Sequence, residues 1–276
     1  MNRKLLFLYA VALAAAAAWA AWFLLSQREP AYNGKSLSAW IDQRYRYLPN
    51  ARDLPDLAKA EEAQDAIRQI GTNALPSLLA MVRTRDSAIK KRLLAFNQRQ
   101  NILRVPLKPA SYYHSRATYG FGALRSAARP AVPALIELLQ DPDKEVRASA
   151  ASCLALLGPN AREAVPALMQ TLNAEGNGWG PVLIDSMMAL GAIHSDPEKV
   201  IPLLLEYVDG PRKQWNYAVP AMEALTRYRE QATSAVPAIL PYLNDPDESH
   251  RSAADAALCA IDPQGTDRAR RAALAK

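Results

Sequence analysis

The chain has 276 residues and a formal net charge of +6 at pH 7, and it contains only 11 glycines, 2 cysteines and 3 histidines. The low glycine content and the lack of any stretch with sustained period-two alternation argue against strands, so we expect an all-α chain with no sheet. The histidines and cysteines do not lie at metal-ligand spacing, and no motif of a nucleophile elbow or a zinc protease helix occurs. We therefore expect no metal, no other cofactor and no catalytic residue.

The first predicted element is a hydrophobic helix at residues 5–25, a run of 21 residues without a charge. A helix of that length spans roughly 30 Å, the thickness of the hydrocarbon core of a bilayer. Arg3 and Lys4 precede it, so the positive-inside rule keeps the N-terminus in the cytoplasm and places the rest outside, in a periplasmic or other extracytoplasmic space. Residues 1–26 are thus predicted to be a single-pass anchor in the cytoplasmic membrane. The alternative is a signal sequence whose cleavage in the alanine tract would release a secreted protein.

The segment from 27 to 55 is predicted to be a juxtamembrane linker with one short helix. Gly34-Lys35-Ser36 does not form a phosphate-binding loop, because the glycine that such a loop requires five residues earlier is replaced by Glu29. Ser36 is instead predicted to be the N-cap of a helix that carries Trp40 on its apolar side.

A phrase of the type Ala-Val-Pro-Ala-Leu occurs four times in the second half of the chain, with its proline at positions 133, 166, 202 and 237. The intervals between these prolines are 33, 36 and 35 residues, a period typical of stacked helical repeats. The best-preserved unit covers residues 141–174. It predicts an Asp-Pro-Asp turn, a helix from Lys144 to Leu157, Gly158 in a left-handed conformation, and a second helix with Pro166 in its first turn.

Other copies extend the array in both directions. Pro76 follows a predicted helix at about 57–70, and the Asp-Pro-Asp turn returns at Asp245. The 57 residues between Pro76 and Pro133 exceed one period, and this excess predicts an inserted helix near 87–104 and a stiff linker at 105–109. After a first helix at 249–261 only a short polar helix, 267–275, is predicted, as a terminal cap. Residues 56–276 are thus predicted to be a solenoid of about six helical hairpins.

The order of an acidic turn, Val-Arg, an alanine-rich helix, glycine and Ala-Val-Pro-Ala-Leu resembles HEAT repeats of the short bacterial kind, over residues 56–262. The segment Gly34 to Trp40 after the anchor is similar to that of bacterial membrane-anchored HEAT-repeat proteins of unassigned function. This resemblance implies an armadillo-type α-solenoid and no reaction. The sequence departs from the pattern at the inserted residues 192–196 and at Tyr228, which replaces the usual glycine, so unusual loops are expected at both places.

We interpret the chain as a non-enzymatic, membrane-tethered scaffold whose repeat domain binds an unidentified protein partner. The alternative is a lyase-like or modifying enzyme that acts on a bound protein or pigment, since some HEAT-like proteins do so. The chain offers no residue set to which such an activity could be assigned.

Charge is distributed unevenly along the array. Residues 83–129 contain eleven basic residues and one acidic residue, whereas residues 137–209 contain eleven acidic and four basic residues. Such a separation can steer a charged partner. Arginine and tyrosine are enriched at binding hot spots, so this basic and aromatic region is the candidate binding surface. Its predicted residues are Lys90, Lys91, Arg92, Arg99, Arg104, Lys108, Tyr112, Tyr113 and Arg116.

Two partners suit this surface, an anionic lipid surface and an acidic protein surface, while export makes nucleic acid an unexpected partner. The alternative interpretation is a solvated helix face whose apolar side packs on the array through Ile89, Leu93, Phe96 and Ile102. Cys153 and Cys259 lie three repeats apart, too far for a disulfide, and both are predicted to be buried small side chains on helices.

Overall fold

The computed structural model of the chain describes residues 29–47, 54–99, 107–174, 180–212 and 217–265. The predicted anchor, the predicted cap helix at 267–275, Ile102 and Arg104 lie outside these ranges. No helix within them is both long and apolar enough to cross a bilayer.

The described chain starts with a small β-hairpin, so the expectation of a chain without any sheet is wrong. Strand β1 (Ala31–Tyr32) pairs with β2 (Lys35–Ser36) in antiparallel register, with Ala31 opposite Ser36. Asn33 and Gly34 form the turn with φ values of 49° and 73°. Two consecutive left-handed residues of the type Asn-Gly define the tight turn that matches the twist of a two-stranded hairpin.

Helix α1 (Leu37–Tyr47) follows directly, and its start confirms the predicted cap. The Ser36 hydroxyl accepts a hydrogen bond from the Ala39 N–H at 3.4 Å. Trp40 is buried, and its indole N–H donates to the Tyr32 carbonyl at 3.0 Å. This bond holds the hairpin against the helix.

The repeat array consists of helix pairs. The first helices of the pairs are α2 (Leu54–Ile70), α5 (Ala110–Leu124), α7 (Lys144–Leu157), α9 (Pro181–Ile193) and α11 (Ala218–Tyr228). Their second helices are α3 (Leu75–Val82), α6 (Val132–Leu138), α8 (Val165–Ala174), α10 (Pro197–Val208) and α12 (Val236–Ile239). Helix α4 (Ala88–Arg99) is the predicted insertion, and α13 (Glu248–Ile261) is a first helix after the fifth pair. The described residues thus contain five of the approximately six predicted hairpins and half of a sixth.

The pairs stack in chain order. Each first helix from α5 to α11 packs against the next first helix, and the buried apolar side chains of all repeats form one continuous core. Short 3-10 segments such as Gly158–Ala164 connect first helices to second helices. The proline of the repeated phrase lies at the start of α6, α8 and α12, where its missing N–H removes no helical hydrogen bond.

The ends of the first helices use a left-handed residue, but not always glycine. Gly158 has a φ of 55°, as predicted, and Gly71 has a φ of 61° after α2. Arg125 and Arg229 have φ values of 49° at the same place after α5 and α11. The assignment of this position to Tyr228 is therefore wrong by one residue, because Tyr228 is the last buried residue of α11.

The fourth repeat differs from the others. Helix α10 begins at Pro197, so Pro202 lies inside the helix and not in its first turn, where the equivalent prolines of α6, α8 and α12 lie. Helix α9 runs through part of the predicted insertion and ends at His194, and both His194 and Asp196 adopt positive φ angles of 53° and 49°. The unusual loop expected at 192–196 is confirmed as a short left-handed turn that replaces the 3-10 segment.

Candidate functional site

The structure divides the predicted basic and aromatic surface into two parts with different environments. The first part, which we call the docking cluster, consists of Lys108, Tyr112 and Arg116 together with Asp42 of α1. The second part is the exposed face of α4. The two parts meet at the start of α5.

The docking cluster joins α1 to α5. Arg116 is buried, and its Nε donates to the Asp42 carboxylate. The Tyr112 hydroxyl donates to the same carboxylate at 3.1 Å, and the Arg116 guanidinium lies 3.2 Å from the centre of the Tyr112 ring. Because these groups satisfy each other, Arg116 and Tyr112 hold the N-terminal helix in place.

Lys108 extends the docking cluster toward solvent. Its ammonium group donates to the Tyr112 hydroxyl at 2.6 Å and lies 4.2 Å from the centre of that ring. The hydrogen bond to Tyr112 raises the pKa of Lys108 above its ordinary value. Tyr113 packs edge-to-face against Tyr112, with ring centres 5.2 Å apart, and is half-buried.

Asp86 links the start of α4 to the start of α5. Its two carboxylate oxygens each lie 3.0 Å from the Ala110 N–H, so it caps α5 from outside that helix, and it forms an ion pair with Lys90 at 2.6 Å. Partial burial opposes ionisation of Asp86, but the hydrogen bonds from Lys90 and Ala110 hold its pKa below the usual range. Lys90 also lies 5.8 Å from the centre of the Tyr113 ring. Lys90 is therefore engaged within the fold.

The remaining predicted cations lie on α4. Lys91, Arg92 and Arg99 are all exposed. Among the α4 side chains whose burial the structure describes, Lys90, Leu94 and Asn97 are half-buried and the others are exposed.

The alternative interpretation of α4 as a helix with its apolar side packed on the array is wrong for the residues described. Ile89, Leu93 and Phe96 have exposed fractions of 72%, 39% and 52%. The reason is the orientation of the helix, since the ion pair of Lys90 with Asp86 turns the face that contains Lys90 inward. The apolar face consequently points to solvent.

A second surface was not predicted from the sequence. The first helices α9, α11 and α13 border a groove with a volume of about 1120 Å³. Small residues such as Gly191, Ala192 and Ala256 line it, and Glu223 and Arg227 add charges of both signs. We call this surface the first-helix groove. The recurrence of small residues along first helices is the only sequence signal that could have indicated it.

Cys153 and Cys259 do not form a disulfide with each other, and they differ in environment. Cys153 is buried in α7, and burial raises the pKa of its thiol to about 12. Cys259 is exposed on α13 and lines the first-helix groove, so the prediction that it is buried is wrong. The alanine-rich face of α13 is open because no further first helix covers it within the described chain.

The three histidines are separated in the structure. His114 is buried with Nε2 2.9 Å from the Thr84 carbonyl, His194 ends α9, and His250 has Nδ1 3.1 Å from Asp245. Across the ranges that the structure describes, no three His, Cys, Asp or Glu side chains come together in a way that could hold a metal ion.

The solved structures that are similar to this chain include engineered and designed proteins of low identity. One engineered protein is 19% identical with a TM-score of 0.39, and the match covers 80% of this chain and 97% of that one. A second engineered protein is also 19% identical, with a TM-score of 0.38 and coverage of 81% and 68%. A designed armadillo repeat protein is 17% identical, with a TM-score of 0.39 and coverage of 82% and 100%.

No curated protein matches the sequence of the chain. The family profile of HEAT repeats matches residues 132–219, which extend from the start of α6 into α11. This stretch contains the repeat at 141–174, in which the repeated pattern is best preserved, and parts of the repeats on both sides of it. Residues 132–219 therefore match the HEAT-repeat family, which confirms for this part of the chain the resemblance expected from the sequence.

Proposed function

We propose that this protein is a non-enzymatic scaffold that binds a protein partner in the first-helix groove. The groove supports this proposal because it is long enough to follow three successive first helices and is open to solvent. Stacked repeats commonly provide extended binding surfaces of this kind, since each repeat adds one helix to the same side of the array.

The chemistry of the groove favours a polypeptide segment as the ligand. Met188 and Ala192 offer apolar contacts at α9. Glu223 and Arg227 on α11, and Glu230 just after it, offer charges of both signs. A segment with small apolar side chains and mixed charges would complement this lining.

We also propose that residues 5–25 tether the scaffold to the cytoplasmic membrane, with the repeats on its outer side. The 21 uncharged residues and the preceding Arg3 and Lys4 support this topology. Secretion after cleavage of the segment is the alternative.

Site-specific photo-crosslinking in native membranes tests the scaffold. A photoreactive amino acid replaces Ala256, which is exposed in the groove, and in a control variant it replaces Gln170, which is exposed on α8. We expect one stoichiometric protein adduct at position 256 and none at position 170. The same adducts at both positions, or no adduct at position 256, would reject the first-helix groove as the binding surface.

A further inference from the structure

The inserted helix α4 carries an apolar face that no described residue covers. Ile89, Leu93 and Phe96 follow each other at steps of four and three residues, which aligns them along one side of the helix. All three are exposed, with exposed fractions between 39% and 72%. Three large apolar side chains in one exposed row are typical of a surface that binds something apolar.

The polar faces of the same helix are basic. Its twelve residues include Lys90, Lys91, Arg92 and Arg99 and no acidic residue. Arg92 and Arg99 lie beside the apolar row by helical geometry, one position before Leu93 and three after Phe96. A short basic helix with leucine and phenylalanine on one side matches the composition of helices that lie in the interface of a membrane.

The position of α4 in the fold places it at the N-terminal end of the array. Its first turn is joined to the start of α5 through Asp86, which binds both Lys90 and the Ala110 N–H. The start of α5 is in turn joined to α1 through the bond from Tyr112 to Asp42. Helix α1 follows the hairpin at 31–36, and the first residue that the structure describes, Glu29, comes four residues after the hydrophobic run at 5–25.

We propose that α4 lies in the head-group region of an anionic membrane, with Ile89, Leu93 and Phe96 inserted and Arg92 and Arg99 at the phosphates. This inference rests on the proposed membrane tether, which brings the N-terminal end of the array to the bilayer. The tether raises the effective concentration of lipid around α4, so a weak interfacial helix suffices for binding. The result is a second contact that orients the array relative to the membrane plane.

Fluorescence quenching in vesicles tests the insertion of α4. The full-length protein carries Cys259→Ser to remove the exposed thiol, and Phe96→Cys is labelled with an environment-sensitive fluorophore. The protein is reconstituted in vesicles of phosphatidylcholine with or without phosphatidylglycerol, each containing a lipid with a quencher near its head group. We expect quenching at position 96 to be at least about threefold stronger in the anionic vesicles, because basic residues near the surface add to the binding.

Two matched proteins make the result specific. A label at Ser252→Cys, exposed on α13 at the other end of the array, should not be quenched in either vesicle. Adding Arg92→Glu and Arg99→Glu to the Phe96→Cys protein should reduce quenching to the level in neutral vesicles. Both arginines are exposed, so these changes leave the packing of the array intact.

A label at Leu24→Cys, within the hydrophobic run, reports on the tether separately. Quenching at position 24 without quenching at position 96 would overturn the insertion of α4 and leave the tether in place, and the apolar face would then belong to an acidic protein partner. If neither label is quenched, both proposals fail. Equal quenching at position 96 in neutral and anionic vesicles would also overturn the proposal, because its electrostatic part would be wrong.

Discussion

Gly191 in α9 marks a close approach between two first helices. A Cβ atom at this position would lie 2.9 Å from the Ala224 Cα and 3.0 Å from the Ala224 carbonyl oxygen in α11. Both contacts are with backbone, which cannot move without separating the helices. The absence of a side chain at Gly191 therefore sets the distance between the fourth and fifth repeats.

Gly191→Ala is expected to lower the free energy of unfolding by about 1–3 kcal/mol, because the added methyl group overpacks the interface. Gly122→Ala is the matched control. Its Cβ would lie 3.5 Å from a Leu156 methyl carbon, an ordinary contact, so the gain in helix propensity should stabilise the protein by up to about 1 kcal/mol. Urea unfolding measures both effects, and equal effects of the two changes would contradict the close approach at Gly191.

Arg125 and Arg229 show that the repeat tolerates a strained residue where glycine is usual. Both combine a φ of 49° with a negative ψ, −122° and −132°, a region that side chains rarely occupy. Gly158 has nearly the same angles without this strain. The packing of the helices on both sides thus imposes the backbone angles of the turn, even where the residue is an arginine.

At the scale of elements, the contact between α7 and α9 contains a carboxylate in an unfavourable environment. Burial raises the pKa of Asp185 to about 6, a hydrogen bond from Ser152 partly opposes this rise, and the charge of Glu145 adds to it. Because the folded-state pKa lies above the unfolded value near 4, the native state retains a proton that the unfolded chain has lost. The contribution of the neutral Asp185 carboxyl group to the free energy of unfolding is therefore fully present below about pH 4. It is lost as the pH rises through 6.

Asp185→Asn should therefore raise the free energy of unfolding at pH 8 by roughly 1–2 kcal/mol, with partial solvent exposure taken into account, and change it little at pH 4. Glu137→Gln, at an exposed position on α6, is the control for replacing a carboxylate by its amide. Urea unfolding at the two pH values checks this. A stabilisation of equal size at both would show that ionisation of Asp185 is not its cause.

The docking cluster is a contact between two elements, α1 and α5. Arg116 and Asp42 are separated by 74 positions, and nothing in the local pattern of either helix indicates that they meet. Sequence composition correctly placed Lys108, Tyr112 and Arg116 in one region, but it could not distinguish a basic surface from a buried junction. The difference depends on α1, whose carboxylate neutralises the buried arginine.

At the scale of the whole molecule, buried tyrosines connect one repeat to the next. The Tyr207 hydroxyl donates to the Leu172 carbonyl at 3.1 Å, and the Tyr242 hydroxyl donates to the Val208 carbonyl at 2.7 Å. The two bonds span 35 and 34 residues, which is one repeat period. Each satisfies a carbonyl near the C-terminal end of the preceding second helix, where helical partners are missing.

Tyr242→Phe is expected to lower the free energy of unfolding by about 1–3 kcal/mol, because it leaves the Val208 carbonyl buried without this donor. Tyr207→Phe should cost less, about 0.5–1.5 kcal/mol, since Arg212 also donates to the Leu172 carbonyl, at 3.1 Å. Unfolding in urea, followed by far-ultraviolet circular dichroism, compares the two variants. A larger loss for Tyr207→Phe would mean that the arginine does not act as a second donor.

The period of the prolines, the Asp-Pro-Asp turns and the apolar faces of the helices determined the repeat architecture from sequence alone. These signals are local, because each lies within one helix or one turn, and they predicted the helices, the insertion and the cap at Ser36. The dipeptide Asn33-Gly34 is also a local signal, because it is typical of a hairpin turn. The composition of the whole chain, from which strands were not expected, does not reveal it.

Only the tertiary structure decided which surfaces are open. The inward orientation of Lys90, the burial of Arg116, the exposure of Cys259 and the groove along α9, α11 and α13 all depend on how helices from different repeats pack. The physical reason is that the amphipathic pattern of a helix shows which of its side chains are apolar. Which element covers those side chains depends on contacts between residues that are far apart in sequence. In α4 no described partner covers it, and the apolar face remains exposed.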